Sequence, residues 1–237
     1  MRILAIDTCA KTAAAAVLTD GRPTAVFTLQ TETHSTTLLP MIESMLSLAK
    51  LTYGDIDAYA VSCGPGSFTG VRIGVAAVKG LAFAKNTPCI GVSATEAMAE
   101  NFRGIEGIIV PVTDARRDMV YTALFRSTSG GELTRLTDDE QIGVDELCEK
   151  LAEFEGERVY FAGDAYAKMT SHPMRPKLTA YTPDGMRIQS AYGVAKAALE
   201  KWNSAENRSV FTDANLLPVY LKKSQAERER EERLAAE

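Results

Sequence analysis

The sequence predicts an α/β protein of two similar lobes, each a mixed sheet flanked by helices. Three observations predict it. Apolar runs of strand length alternate with segments of helical period. The order strand, strand, strand, helix, strand, helix occurs once before residue 104 and is repeated weakly after it, as a duplicated β-β-β-α-β-α unit. Within the first unit, the glycine-punctuated stretch from Cys63 to Gly74 joins a strand to a nearly uncharged helix. At 237 residues the chain is long enough for one large domain or two modest lobes.

In the first half, residues 1–6 form a continuous apolar run that ends at Asp7-Thr8. A second strand runs over 13–18, and Asp20-Gly21 turns the chain into a third over 23–28. Residues 36–50 have helical period. Leu38, Leu39, Met41, Ile42, Met45, Leu46, Leu48 and Ala49 cover more of this helix than one core contact requires, and Glu43 is its only charge before Lys50. Pro40 falls in its first turn, where a missing amide is tolerated. Burial on two sides within the chain and contact with another protein both account for this composition; methionine suits the second. Residues 58–63 read as a strand, and the helix over 69–84 carries only Arg72 and Lys79 as charges. Gly70, Gly74 and Ala77 form a small-residue stripe that admits another helix closely. Two such helices in one lobe favour an interface.

The turn resembles a phosphate-cradling loop but lacks its chemistry. Gly70 is followed by Val71-Arg72 and not by Lys-Ser or Lys-Thr, and no GxGxxG spacing is present. A helix over 93–99 leads to a polar stretch near 101–106. There the chain divides into a first lobe over 1–104, a second over 105–224 and a charged tail over 225–237.

The second half repeats the order. A strand over 108–112 ends at Thr113-Asp114, the next runs over 120–125, and Gly130-Gly131 turns the chain. A helix over 144–154 and a strand over 158–162, closed by Gly163-Asp164, follow. Residues 169–177, with Pro173 and Pro176, have no period and read as loop. Residues 190–202 form an amphipathic helix with Tyr192, Ala195, Leu199 and Trp202 near one face. The alternating Glu and Arg of 225–237 read as a solvated helix or a frayed tail.

A net charge of −5 argues against a chain that holds RNA or DNA by itself, since such binding rests on basic patches. Cys9, Cys63, Cys89 and Cys148 are scattered with no CxxC, as expected of buried thiols in a reducing cytosol. No apolar run reaches the length of a bilayer span and no leader pattern opens the chain, so the expectation is a soluble cytoplasmic protein.

Several motifs together carry a resemblance. They are Ile6-Asp7-Thr8-Cys9, His34-Ser35 before Leu38-Leu39-Pro40, and Gly64 through Gly74. Asp114-Ala115-Arg116-Arg117 with Val120-Tyr121, Gly163-Asp164, and Pro218-Val219-Tyr220-Leu221 complete the set. On these the chain resembles the TsaB (YeaZ) family, the bacterial partner subunits in making the threonylcarbamoyl modification of the tRNA adenosine beside the anticodon. The resemblance runs to about Glu227. It implies a two-lobed actin-like ATPase fold (ribonuclease H-like, of the sugar kinase and Hsp70 class). Within that fold Asp7 and Asp114 fall at phosphate positions and Gly163-Asp164 at the adenosine position. ATP or ADP, shared with the partner, is the only nucleotide implied; no obligate cofactor is. Asp-Thr-Cys lacks the glycine that usually lets phosphate approach, which argues against independent ATP hydrolysis, and of the two readings of Asp7 and Asp114 the strand end is preferred.

The catalytic relative TsaD carries an HxxxH pair for a metal, whereas this chain has only His34 and His172. No HExxH, GxSxG or cysteine with an evident histidine partner is found. The resemblance thus implies a non-catalytic scaffold that binds TsaD as a heterodimer, is joined by TsaE, pairs with itself when alone and meets tRNA only indirectly. The expected partner face is Leu38, Met41, Ile42, Met45 and Leu48 on one helix, with Gly70, Ile73, Gly74, Ala77 and Leu81 on the other. The alternatives are a small ATPase or kinase using Asp7, Asp114 and Gly163, and a metallopeptidase.

Overall fold

The computed structural model describes residues 1–30 and 33–221, and the charged tail expected over 225–237 lies outside them. In the first lobe, β1 (Arg2–Asp7), β2 (Thr12–Thr19) and β3 (Arg22–Gln30) form an antiparallel meander. Helix α1 (His34–Leu48) follows. The chain then inserts β4 (Ala58–Ser62) parallel to β1, crosses over through α2 (Phe68–Phe83), and adds β5 (Cys89–Val92) parallel to β4. The strand order is β3-β2-β1-β4-β5.

Both faces of this sheet are covered, and its sequence shows why. Leu4, Ile6, Ala13, Ala15 and Val17 face the core shared with α1 and α2. The alternate residues Ile3, Ala5, Ala14, Ala16 and Leu18 face a second core. That second core is completed by α7 (Ala191–Ser204), which belongs to the other half of the sequence. The run of alanines in β2 leaves helices on both sides room to approach.

Helix α3 (Ala94–Ala99) links the lobes. The second sheet is built on β6 (Gly107–Arg116), the longest strand. The single strand expected over 120–125 is instead two, β7 (Met119–Thr122) and β8 (Phe125–Ser127), both antiparallel to β6. The register places the interruption opposite Pro111, which has no amide to offer the ladder. Next come β9 (Leu133–Arg135), β10 (Glu140–Gly143), α4 (Val144–Leu151) and β11 (Val159–Ala162), the last parallel to β6. Part of the loop expected over 169–177 is helical, because α5 (Tyr166–Thr170) extends through Met169; α6 (Asp184–Arg187) follows it.

After α7 the chain returns across the first lobe. The Cys89 amide donates to the Phe211 carbonyl at 3.1 Å and the Val219 amide to the Cys63 carbonyl at 2.7 Å. Leu216 is buried in the first-lobe core. Among the described residues no helix is long and apolar enough to cross a membrane.

Candidate functional site: the interlobe cleft and the helices beside it

A cleft of about 690 Å³ opens between the lobes, with Lys11, Gly66 and Phe68 on one wall, Asp114 and Asp164 on the other, and Tyr220 at the edge. The first wall is made by the turn between β4 and α2 lying on the turn between β1 and β2. The Ser67 amide donates to the Cys9 carbonyl at 2.7 Å, and the Thr8 hydroxyl donates to the Gly70 carbonyl at 2.7 Å. Gly66 and Gly70 are required by this contact: a Cβ on either would collide with the carbonyl oxygen of Cys9 or Thr8. The glycines therefore serve a backbone-on-backbone approach within the chain.

Asp7 does not reach the cleft. It is 1% exposed, and its carboxylate accepts the Cys9 amide at 2.9 Å and the Ser62 hydroxyl at 2.9 Å. Burial pushes its pKa up, against the lowering effect of those hydrogen bonds. Residues 66–70 thus cover the Thr8 and Cys9 carbonyls, and of the β1–β2 turn Cys9, Ala10 and Lys11 reach the cleft while Asp7 does not. Cys9, beside it, is a buried thiol whose pKa is raised by burial and then by the Asp7 charge.

On the second wall, the strand end expected at Asp114 continues two residues further within β6. Asp114 is exposed; burial of part of its carboxyl pulls its pKa up, but the hydrogen bond from Lys168 at 3.0 Å and the Arg116 amide hold it below the usual range. Gly163 has φ +116°, and a Cβ there would strike the Val112 carbonyl. Its role is to turn the chain so that the Asp164 carboxylate accepts the Asp114 amide at 2.8 Å. Burial is the main cause that raises the Asp164 pKa. Of the residues expected at nucleotide positions, Asp114 and Asp164 line the cleft and Asp7 and Gly163 do not, while Lys11 lines it without having been expected.

The two histidines are in different lobes. His34 Nε2 lies 2.7 Å from the Ala10 carbonyl. His172 Nε2 lies 2.9 Å from Asp145, and its Nδ1 lies 3.4 Å from the Cys148 sulfur. This pairing, across 24 positions of sequence, corrects the expectation that no cysteine has a histidine partner. Cys148 is nevertheless buried, and burial followed by the Asp145 charge raises its pKa, the opposite of an activated nucleophile. Among the described residues no group of three His, Cys, Asp or Glu side chains is placed to hold a metal.

The helices beside the cleft differ from the expected face. Leu38, Met41, Ile42 and Met45 are buried in the first-lobe core. Gly70 and Gly74 face Thr8, so the small-residue stripe admits the chain's own β1–β2 turn and not a foreign helix. The rest of the expected set reaches the surface: Leu48 is 75% exposed, and Ile73, Ala77 and Leu81 are half-buried. Leu39 at 43% and Phe83 at 77% join them. At the amino end of α2, Arg72 lies over the Phe68 ring at 4.0 Å and donates to the Tyr220 hydroxyl at 2.9 Å, while the Phe68 and Tyr220 rings stack at 4.3 Å.

Comparison with known proteins agrees with this architecture. Residues 9–229 match the family model described as TsaD, tRNA N6-adenosine threonylcarbamoyltransferase. The chain is 37% identical over 154 residues to the tRNA threonylcarbamoyladenosine biosynthesis protein TsaB of Bacillus subtilis, covering 65% of this chain and 67% of that protein. It is 39% identical over 133 residues to TsaB of Escherichia coli, covering 55% and 58%. The chain thus spans between about half and two thirds of these curated relatives. YeaZ from Pseudomonas aeruginosa superposes with a TM-score of 0.76 at 27% identity, covering 93% of this chain and 99% of that one. Component A of the Acidaminococcus fermentans (R)-2-hydroxyglutaryl-CoA dehydratase superposes at 0.51 with 11% identity, covering 87% and 100%, a likeness of fold alone. With a two-lobed actin-like fold and these matches, the chain belongs to the TsaB (YeaZ) family within the wider TsaD family of tRNA threonylcarbamoyladenosine biosynthesis.

Proposed function

We propose that this chain is a non-catalytic scaffold that binds TsaD as a heterodimer and holds it in the shape that transfers the threonylcarbamoyl group to the tRNA adenosine beside the anticodon. TsaE joins through the TsaD-bound assembly, a second copy of the chain takes the same face when TsaD is missing, and tRNA is met only through the partner, all in the cytoplasm. The observation that carries this reading is the exposure of Leu48 and Phe83, at 75% and 77%, on two helices whose other faces already fill a core. Large apolar side chains left this open mark contact with another protein. The face comprises Leu39, Leu48, Ile73, Ala77, Leu81 and Phe83; the buried methionines act beneath it. The burial of Asp7 away from the cleft supports placing the chemistry in the partner and weighs against a lone ATPase.

The test is titration of TsaD from the same organism with the parent chain and with Leu48→Asp/Phe83→Asp. The double variant is expected to lose affinity at least roughly tenfold, the effect of about 1.4 kcal/mol, while its thermal melting midpoint stays at the parent value. Undiminished affinity would reject the face.

A further inference from the structure

Helix α3 is attached to the first lobe, yet much of its apolar surface lies in the core of the second. Met98, Ala99 and Phe102 are buried in one cluster with Ile109, Ala123, Phe125 and Ala162 of the second sheet. From the same short segment, Ala97 joins the core formed by the first sheet and α7. The crossing of α3 and α7 is as close as backbones permit, because a Cβ on Gly193 would collide with the Ala97 carbonyl oxygen.

Two ionic brackets flank this shared core. In one, Asp139 of the second lobe accepts from the Thr95 hydroxyl and from Arg135 Nη1 at 3.0 Å. Arg135 Nη2 lies 3.8 Å from Glu96, and Lys201 of α7 lies 3.3 Å from the same carboxylate oxygen. In the other, the Glu100 side chain, 2% exposed, accepts Arg103 Nη2 at 2.6 Å and Nε at 2.8 Å. Arg103 also lies 2.6 Å from Glu200 of α7 and donates to the Gly131 carbonyl of the second lobe at 2.9 Å. On the cleft side, the Thr12 hydroxyl donates to the buried Gln189 at 3.3 Å.

We infer that the two lobes form one rigid body with a fixed cleft opening, so that the cleft does not open and close around a ligand. Lobes of one chain move relative to each other by default unless their interface is large and apolar. Here opening would draw Met98 and Phe102 out of the second core, break the bond from Arg103 to the Gly131 carbonyl and part Asp139 and Arg135 from Thr95 and Glu96. The weld belongs to the lobes themselves, so it stands whether or not the scaffold reading does.

The experiment places one label on each lobe of the full chain, through Ser47→Cys on α1 and Glu149→Cys on α4, both exposed helical positions. The four native cysteines are buried, so spin labels go to the introduced thiols. Pulsed electron paramagnetic resonance is expected to show one narrow distance population, unchanged by ATP with magnesium. A second population, or a shift on adding nucleotide, would overturn the inference. Adding Arg103→Gln and Arg135→Gln is expected to broaden or split the distribution while far-ultraviolet circular dichroism stays that of the folded chain. A narrow distribution unaffected by both changes would overturn the role given to the brackets, and if that variant fails to fold, the parent measurement decides.

Discussion

Asp7 carries its carboxyl to the end of the central strand and then loses solvent entirely. The Cys9 amide and the Ser62 hydroxyl hold it there, so its work is to fix the turn on which residues 66–70 lie. Burial outweighs those two bonds and raises its pKa, which makes folding favour the protonated form. The sign follows from linkage: between the unfolded pKa, roughly 4, and the higher folded value, the native chain binds more protons than the unfolded one. The Asp7 contribution to stability is therefore fully present below about pH 4 and is lost as pH rises through the folded pKa. Asp7→Asn keeps the shape, and a carboxamide can still accept from Cys9 and pair with Ser62. Urea unfolding of parent and variant from acid to neutral pH is expected to show the variant gaining relative stability as pH rises. A difference between them that does not vary with pH would show that Asp7 ionises freely in the folded chain. Nothing in Ile6-Asp7-Thr8 distinguishes an inward carboxyl from one facing a phosphate, which is why the sequence left both readings open.

Helix α2 shows what periodicity conveys and what it does not. Its extent, expected over 69–84, is close to the observed Phe68–Phe83, because Ser67 caps it and apolar residues recur at 71, 75, 78 and 82. The long strands β1, β2 and β4 were legible for the same reason. β5 was not, since four residues give too short a run to show a period. Direction was the harder matter: a glycine stripe reports that something approaches closely, but not whether it is foreign. The neighbour of Gly74 is Thr8, whose hydroxyl oxygen would lie 2.6 Å from an added Cβ, with Val61 Cγ2 at 3.1 Å. Gly74→Leu would therefore push α2 off the sheet instead of wedging a partner away. The expected cost is about 1–3 kcal/mol or more, well above the roughly 1 kcal/mol that replacing a helical glycine recovers. It should appear as a lower urea midpoint of the isolated chain. A midpoint equal to or above that of the parent would return Gly74 to the surface.

At the scale of the whole molecule the chain closes on itself, since α7 and the segment after it complete the lobe that the first residues began. Helical period located α7, but no local signal assigns a helix to one sheet or another; only the small residues of β2, exposing both faces of the first sheet to close packing, hint at a second covering layer. The returning segment is held by Leu216 in the core, by Phe211 stacked on Trp202 at 5.6 Å, by the Val219 amide and by the Tyr220 ring on Phe68. Burying a leucine alone contributes roughly 1.5–3 kcal/mol, and stacked aromatic pairs add about 0.5–1.5 kcal/mol each. A chain ending at Ser204 gives up all of these and uncovers Cys63, Cys89 and the amino end of α2. It is expected to melt well below the parent and to bind a hydrophobic dye at room temperature. A chain ending at Lys223 keeps every one of these contacts and is expected to melt with the parent. If the two truncations melt together at the parent midpoint, the returning segment adds nothing to the first lobe. If both fall equally, the stabilising residues lie beyond Lys223 and the strap is not what closes the fold.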